Sequence, residues 1–201
     1  MLIAGLTGGL ACGKSFVAAA FRELGCHVIE ADALGHEVMR PGGPAYAPII
    51  REFGSEVLGE DGTVNRSRLA GIVFSDPAEL AKLNAIVHPA VSQLAQRRFR
   101  EIGEQDPHAI GIYVAAILVE TGSYREFPKL IVVKCNRAQQ IARAMARAGA
   151  TEADVVARMA RQLPMEEKIA VADYVIDTDG TLEETLRQTK MVFEELRKSA
   201  Q

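Results

Sequence analysis

Hydrophobic and polar positions at the start of the chain follow first the pattern of a strand and then that of a helix. The apolar run Leu2–Leu6 predicts a buried strand, and a glycine-rich stretch follows it. Lys14–Leu24 repeats apolar residues at helical spacing and ends before Gly25, a typical helix terminator. Cys26–Ala31 predicts a second strand. This strand–loop–helix–strand order is a βαβ unit, which implies a parallel sheet.

The middle of the chain, residues 33–105, is predicted to be mostly helical. Asp76 and Pro77 form a typical helix start, an N-cap acid followed by proline at the first helical position. We expect this helix to break or kink at His88–Pro89, because a proline inside a helix clashes with the preceding turn. A second amphipathic stretch then covers Ala90–Glu104.

The last part of the chain returns to alternating strands and helices. Strands are predicted at Ile110–Leu118, Leu130–Cys135 and Tyr174–Asp177. Two helical patterns rich in arginine, Ala138–Ala148 and Thr151–Arg161, separate the last two strands, and a final helix begins at Thr181. The predicted fold class is therefore α/β, a three-layer sandwich with a five-stranded parallel sheet. One helical insertion follows the second strand, and a smaller one follows the fourth.

Composition excludes several classes of protein. The 201 residues are 48% hydrophobic and 24% charged, as in a globular protein and unlike a disordered one. A net charge of −3 argues against a nucleic-acid partner, and no feature points to an obligate protein partner. Three scattered cysteines are too few for a disulfide framework and suit a reducing cytoplasm. The N-terminal run lacks a basic segment and a cleavage site, so neither a signal peptide nor a membrane span is expected.

The glycine-rich stretch matches the Walker A pattern in full. Gly8 and Gly13 stand at its two glycine positions, and Lys14 and Ser15 follow. Glycines let successive backbone N–H groups turn toward a phosphate, and the next helix adds its positive N-terminal end. Lys14 is expected to reach the β- and γ-phosphates of a nucleoside triphosphate, and the Ser15 hydroxyl to bind Mg²⁺. The flanking strand and helix indicate a P-loop NTPase-type fold.

The phosphate loop leaves open what is done with the nucleotide. A switch or motor would hydrolyse it, whereas a kinase would transfer the phosphoryl group to an acceptor. The chain has neither the Asn-Lys-x-Asp motif of GTPase switches nor the Leu-Ser-Gly-Gly-Gln signature of transporter ATPases. Two interpretations stay open at this point: a P-loop small-molecule kinase, acting for example on nucleosides or nucleotides, and a regulatory ATP-binding module.

Asp32 is the candidate general base. It follows the second predicted strand, and ligands of open α/β sheets bind beyond the carboxyl ends of the strands. A carboxylate there can accept the proton of an acceptor hydroxyl as the hydroxyl attacks the γ-phosphate. The alternative is a helix N-cap for a segment that begins at Ala33.

Arginines of the second insertion suggest a lid. Arg143 and Arg147 share one face of a helix, and Arg158 and Arg161 repeat the arrangement at a spacing of three. A helical pair of this kind, after the fourth strand of a P-loop sheet, is suited to close over the site and bring guanidinium groups to the phosphoryl group. A solvated arginine-rich face is the alternative.

Cys12 lies inside the phosphate loop at the start of a helix. The helix N-terminus and the Lys14 ammonium both favour a thiolate, so its pKa is expected to fall below the ordinary value. We therefore predict that Cys12 alkylates and oxidises faster than Cys26 and Cys135, and that bound ATP protects it. The alternative is an inert side chain that points into the core.

The sequence resembles the dephospho-CoA kinase family over nearly its whole length. The matching segments are Gly5–Gly9 running into the Walker loop, Val28–Asp32, Phe53-Gly54, Asp61-Gly62, Val73-Phe74, His88-Pro89, Leu118–Glu120 and Ala172–Ile176. The resemblance implies ATP- and Mg²⁺-dependent phosphorylation of the ribose 3′-hydroxyl of dephospho-CoA, the last step of coenzyme A synthesis. It also implies a P-loop kinase core (1–32, 106–135 and 166–201), a helical CoA-binding insertion (about 33–105) and a lid (about 136–165).

The resemblance implies roles for particular residues. The general base falls on Asp32 and the lid arginine on Arg143, which with Lys14 are the candidate catalytic residues. His88 and Pro89 fall on the substrate-side pair, although a histidine before proline at a helix break is as often a cap or core residue. The predicted ATP-binding residues are Gly8, Gly9, Leu10, Ala11, Cys12, Gly13, Lys14, Ser15, Phe16 and Arg147; the predicted substrate-binding residues are Thr7, Asp32, His88, Pro89 and Glu120; the predicted metal ligand is Ser15.

The chain departs from the family's pattern at a few positions near the predicted chemistry. Phe16 stands where the family has a threonine, so only its backbone N–H can meet the α-phosphate. Glu30 replaces the first acid of the family's Asp-Ala-Asp, and Ala116 replaces a proline. An asparagine common near Asp177–Gly180 is absent. None of these changes removes a residue that is predicted to carry the chemistry.

Overall fold

The computed structural model describes residues 1–200, which divide into two compact units. One unit comprises Met1–Ile29 and the chain from Ile102 onward, and the other is Glu30–Glu101. The helices are α1 (Lys14–Glu23), α2 (Ala31–Val38), α3 (Tyr46–Phe53), α4 (Arg66–Val73), α5 (Pro77–Gln105), α6 (Arg137–Ala148), α7 (Glu152–Met159), α8 (Met165–Ala170) and α9 (Leu182–Ser199). Within the described residues, no helix combines the length and the hydrophobicity needed to cross a membrane.

The first unit is built on a parallel sheet. Its strands are β1 (Leu2–Gly8), β2 (His27–Glu30), β3 (Ile110–Val114), β4 (Lys129–Lys134) and β5 (Tyr174–Asp177), in the order β2-β3-β1-β4-β5. β1 lies at the centre, where Leu6 is in register with Val114 of β3 and Ile131 of β4. The predicted α/β class with a five-stranded parallel sheet is confirmed. The third strand is shorter than predicted, because it ends at Val114 rather than at Leu118.

Both faces of the sheet are covered. Along β4, Ile131 and Val133 belong to one buried cluster, whereas Leu130 and Val132 belong to another. Because successive strand residues point to opposite faces, the two clusters lie on opposite sides of the sheet. The continuous apolar run of β4 is therefore what a strand buried on both faces requires.

Two helices in the last part of the chain, α7 and α9, begin at strong local signals. Thr151 and Thr181 each close a reciprocal capping box with the acid three residues later, which confirms both predicted helix starts. On the sheet, Phe21 of α1 and Leu196 of α9 are fully buried in the same cluster. Helix α8 has no counterpart in the sequence prediction.

The second unit contains α2–α4 and most of α5. Asn65 caps α4, because its side-chain oxygen accepts from the backbone N–H groups of Ser67 and Arg68 at 3.1 Å each. The Arg98 guanidinium donates to both carboxylate oxygens of Glu37 at 2.7 Å and so ties α5 to α2.

Of the two outcomes predicted at His88–Pro89, a break or a kink, the break is wrong. A single helix, α5, continues from Pro77 to Gln105 with Pro89 inside it. A proline costs the helix one hydrogen bond and crowds the preceding turn. Ala90, Val91 and Leu94 are buried directly after it, and their burial favours continuing the helix over ending it.

Candidate active site

The phosphate loop joins the central strand β1 to helix α1. Gly8 ends β1, where an added Cβ would lie 2.2 Å from the Val133 carbonyl oxygen, so only glycine fits. Gly13 precedes α1 with φ of +82°, a left-handed conformation that glycine adopts without strain. The two Walker glycines are therefore needed for different reasons, one for close approach to β4 and one for the turn into the helix.

The side chain of Lys14 lies over Gly8 and Gly9, the first residues of the phosphate loop. Its ammonium Nζ donates to the carbonyl oxygens of Gly8 at 3.0 Å and Gly9 at 2.8 Å. Ser15, in the first turn of α1, is exposed. An ammonium and a hydroxyl therefore stand at the positive end of α1, which is the arrangement that binds a metal–triphosphate complex.

Arg143 of α6 is held beside the phosphate loop by Thr178, which follows β5. Its guanidinium donates to the Thr178 hydroxyl at 3.0 Å and to the Thr178 carbonyl oxygen at 2.8 Å. The same hydroxyl donates to the carbonyl oxygen of Cys12 at 3.1 Å. One chain of hydrogen bonds thus connects the arginine-rich helix to the loop. Arg147, Arg158 and Arg161 are exposed.

Thr7 and Glu120 belong to a polar cluster next to β1. The Thr7 hydroxyl donates to the Ala116 carbonyl oxygen at 3.1 Å, and the fully buried Lys168 ammonium donates to the same oxygen at 3.3 Å. Lys168 also pairs with Glu120 Oε1 at 2.5 Å. Glu120 Oε2 is buried and has no hydrogen-bond partner among the described residues. The cluster joins α8 to the segment that follows β3.

Replacing Lys168 with methionine should lower the free energy of unfolding by about 3–5 kcal/mol, because Glu120 would keep a largely buried charge without its partner. Urea denaturation of both proteins measures the difference. Adding Glu120→Gln to the variant should recover part of the loss, since the amide carries no charge. The matched control, Lys198→Met on the exposed end of α9, should change stability little. An equal cost for both lysines would contradict the prediction.

Cys12 lies in the core and not at the surface of the loop. Its side chain is fully buried, so the expectation that alkylating reagents reach it readily is wrong. Its sulfur accepts a hydrogen bond from the Cys135 thiol at 3.4 Å. This bond lowers the pKa of Cys12 against the opposing effect of burial, and the Lys14 ammonium adds to the lowering. The predicted direction of the pKa is therefore confirmed, although the main cause is Cys135.

A small oxidant such as hydrogen peroxide should still inactivate the protein by joining these two cysteines, at a rate limited by local openings that expose the buried Cys12 sulfur. The Cys12 thiolate attacks peroxide to give a sulfenic acid and hydroxide; the Cys135 thiol then displaces water from the sulfenic acid and forms the disulfide. Drawing the two sulfurs together from 3.4 Å should displace the phosphate loop, so the activity of the protein should fall as the disulfide forms and return with a thiol reductant. Inactivation should be faster at pH 8 than at pH 6, because only the thiolate reacts.

Peptide mapping of the oxidised protein and the inactivation rate check this prediction. Cys135→Ser should prevent the disulfide, whereas Cys26→Ser should leave it, because burial raises the pKa of Cys26 to about 12 and makes it unreactive. Reversible inactivation of Cys135→Ser at the rate of the unmodified sequence would contradict the mechanism.

Asp32, His88 and Pro89 lie in the second unit. Helix α2 begins at Ala31, so the alternative of Asp32 as an N-cap is wrong: the N-cap position is Glu30, which forms no side-chain cap. Asp32 is exposed in the first turn of α2, two residues after β2 ends. His88 and Pro89 are exposed in α5, so His88 is not a core residue.

The family model of dephospho-CoA kinase (CoaE) matches residues 2–184. The chain belongs to the dephospho-CoA kinase family. It is 43% identical to the dephospho-CoA kinase of Aquifex aeolicus over 96% of both chains. It is 42% identical to that of Geobacter metallireducens over 97% of this chain and 96% of the relative. These matches confirm the resemblance and the predicted activity, dephospho-CoA kinase activity in the final step of coenzyme A biosynthesis.

Solved structures share the fold. A crystal structure from Thermus thermophilus superposes with a TM-score of 0.83 at 33% identity, covering 97% of each chain. The dephospho-CoA kinase of Campylobacter jejuni superposes with a TM-score of 0.74 at 22% identity, covering 99% of this chain and 98% of the other. The second likeness shows the P-loop kinase fold.

Sequence reasoning missed three residues that the structure places around the phosphate loop. Thr178, Lys168 and Gln162 each contact the loop or the polar cluster beside it. Thr178 had a usable signal, since it directly follows the carboxyl end of β5, where ligands of such sheets bind. Lys168 and Gln162 had none, because their contacts depend on how the segment after α7 returns to the sheet.

Proposed function

We propose that the chain transfers the γ-phosphoryl group of ATP in line to the ribose 3′-hydroxyl of dephospho-CoA. The observation that carries the proposal is the phosphate loop between β1 and α1, with the Lys14 ammonium over Gly8 and Gly9. In phosphoryl transfer, positioning and electrostatic stabilisation supply most of the catalysis. Backbone N–H groups of the loop hold the phosphates, and Lys14 offsets the charge that develops on the β- and γ-phosphates.

The protein residues fit a Mg²⁺ ion that arrives with ATP. The exposed Ser15 hydroxyl is a hard oxygen donor at the start of α1. Residues 1–200 contain no group of three or more His, Cys, Asp or Glu side chains able to hold a metal by themselves. Mg²⁺ is commonly bound by one or two protein oxygens together with phosphates and water. When bound, it neutralises charge on the β- and γ-phosphate oxygens; Ser15 is the proposed ligand.

Asp32 is the proposed general base. Its position in the first turn of α2, at the carboxyl end of β2, is where an α/β sheet binds its ligands. Its exposed carboxylate is free of a capping role in α2. It accepts the proton of the 3′-hydroxyl as the oxygen attacks phosphorus, and it orients that oxygen. The family resemblance assigns the same role to this position.

The arginines of α6 and α7 are the proposed lid, over residues 136–165. Arg147, Arg158 and Arg161 are exposed and supply the positive charge that the triphosphate attracts. Arg143 is proposed to act from its place between Thr178 and the loop, where it stabilises charge on the transferring group. Closure of these helices excludes water, so that transfer to the acceptor wins over hydrolysis.

The remaining substrate-side residues are proposed on the family pattern. Thr7 and Lys168 both donate to the Ala116 carbonyl oxygen, in the polar cluster after β3. In the same cluster, Glu120 Oε2 has no hydrogen-bond partner among the described residues and is available to a substrate. His88 and Pro89 are exposed on α5, in the unit proposed to bind the CoA moiety. The cytoplasm is the proposed location, which the three free thiols suit.

ADP release tests the acceptor. It should rise strongly with dephospho-CoA and stay near the basal rate with adenosine or AMP, and phosphorus NMR of the product should show a 3′-phosphomonoester. Stimulation by AMP but not by dephospho-CoA would indicate a nucleotide kinase. Tight ATP binding without stimulation by any acceptor would indicate a regulatory binding module.

A further inference from the structure

The phosphate loop has a contact from outside the Walker motif. The backbone N–H of Leu10 donates to the side-chain oxygen Oε1 of Gln162 at 2.8 Å. Gln162 lies in the turn between α7 and α8, 152 residues away in the sequence. Since the donor is a backbone N–H, the amide of Gln162 must present its oxygen to the loop.

Neighbouring contacts hold this turn against the same half of the loop. The N–H of Leu163 donates to Glu120 Oε1 at 3.3 Å, and Glu120 is paired with the buried Lys168. The Met165 side chain lies so close to Gly9 that an added Cβ there would be 2.9 Å from its terminal methyl group. The residues on either side of Gln162 therefore anchor its backbone beside the loop.

The contact falls where the loop meets the reacting phosphate. Lys14 is bound to the carbonyl oxygens of Gly8 and Gly9, and Leu10 is the next residue. Lys14 is the group that reaches the β- and γ-phosphates, so Leu10 belongs to the half of the loop nearest the transferred group. Gln162 also directly follows the exposed Arg161. One turn thus carries a proposed lid arginine and a ligand of the loop backbone.

We propose that Gln162 is a positioning residue for phosphoryl transfer. Its amide oxygen holds the Leu10 N–H and thereby sets the first half of the phosphate loop relative to Arg161. A neutral acceptor is required, because a carboxylate in the same place would repel the triphosphate. The proposal rests on the phosphoryl transfer proposed above and adds the coupling between the arginine-rich helices and the phosphate loop.

Two substitutions of similar length separate this role from a structural one. Gln162→Met removes the strong acceptor; it should lower kcat roughly tenfold, the equivalent of one lost hydrogen bond, with little change in the KM for ATP. Gln162→Glu keeps an acceptor oxygen and adds charge; it should chiefly raise the KM for ATP. The activity of Gln162→Glu relative to the unmodified sequence should rise as pH falls from 7 to 4.5, because protonation of a glutamate, whose ordinary pKa is about 4.3, removes the repelling charge.

Thermal unfolding and ADP release with dephospho-CoA are measured for each protein. Gln105→Met, an exposed glutamine at the end of α5, is the matched control and should match the unmodified chain. Unchanged kcat in Gln162→Met, or equal losses in both Gln162 variants without the KM difference and pH response, would overturn the proposal. If Gln162→Met does not fold, the KM and pH response of Gln162→Glu decide it. If dephospho-CoA does not stimulate turnover of the unmodified chain, the proposed function is refuted instead. The affinity of the Gln162 variants for ATP would then still test the Leu10–Gln162 contact.

Discussion

Replacing Lys14 with alanine should lower the turnover of dephospho-CoA about 10²–10³-fold, the usual cost of removing one preorganised group that stabilises transition-state charge. The ammonium lies over Gly8 and Gly9, where it is proposed to meet the β- and γ-phosphates, and the shortened side chain would leave that charge uncompensated. The turn itself depends on Gly8 and Gly13, so the fold should persist. Steady-state ADP release and thermal unfolding measure the two effects.

A second lysine separates the local effect from a general loss of charge. Lys190 is exposed on α9, and Lys190→Ala should retain normal turnover. Turnover of Lys14→Ala within a fewfold of the unmodified chain would refute the role of the phosphate loop. A large loss of thermal stability would show that Lys14 acts mainly by holding the loop carbonyls.

Replacing Asp32 with asparagine should slow turnover about 10²–10⁴-fold, the range for loss of a general base. The amide has the size of the carboxylate but cannot take the proton of the 3′-hydroxyl. Asp32 is exposed and does not cap α2, so stability should change little. Affinity for ATP should survive, because Asp32 is outside the Walker loop. Single-turnover kinetics and ATP titration measure both quantities.

The matched control is Glu30→Gln, the same carboxylate-to-amide change two residues earlier, at the end of β2. It should leave turnover near normal. Equal losses in both variants would point to the negative charge of the region and not to a base. Loss of ATP affinity with normal turnover in Asp32→Asn would make Asp32 a metal or structural ligand.

Local signals in the sequence were sufficient for the elements around the phosphate loop. The apolar run before Gly8, the Walker glycines and the amphipathic stretch after Lys14 determine strand, turn and helix from neighbouring residues alone. The capping boxes at Thr151 and Thr181 act within four residues, and both predicted helix starts are confirmed. A local signal failed where packing competes with it, as at Pro89, which lies inside α5 and does not end a helix.

By itself the sequence determined the order of strands and helices, the phosphate loop and the family, since each depends on short-range periodicity or on residue types at fixed spacing. Only the tertiary structure placed Cys135 beside Cys12, 123 residues apart, and Gln162 beside Leu10. It also paired Lys168 with Glu120 and showed that Cys12 is buried. Periodicity tells which residues share one face of an element. Which distant side chains meet is decided by the free energy of packing whole elements together, and no local pattern encodes it.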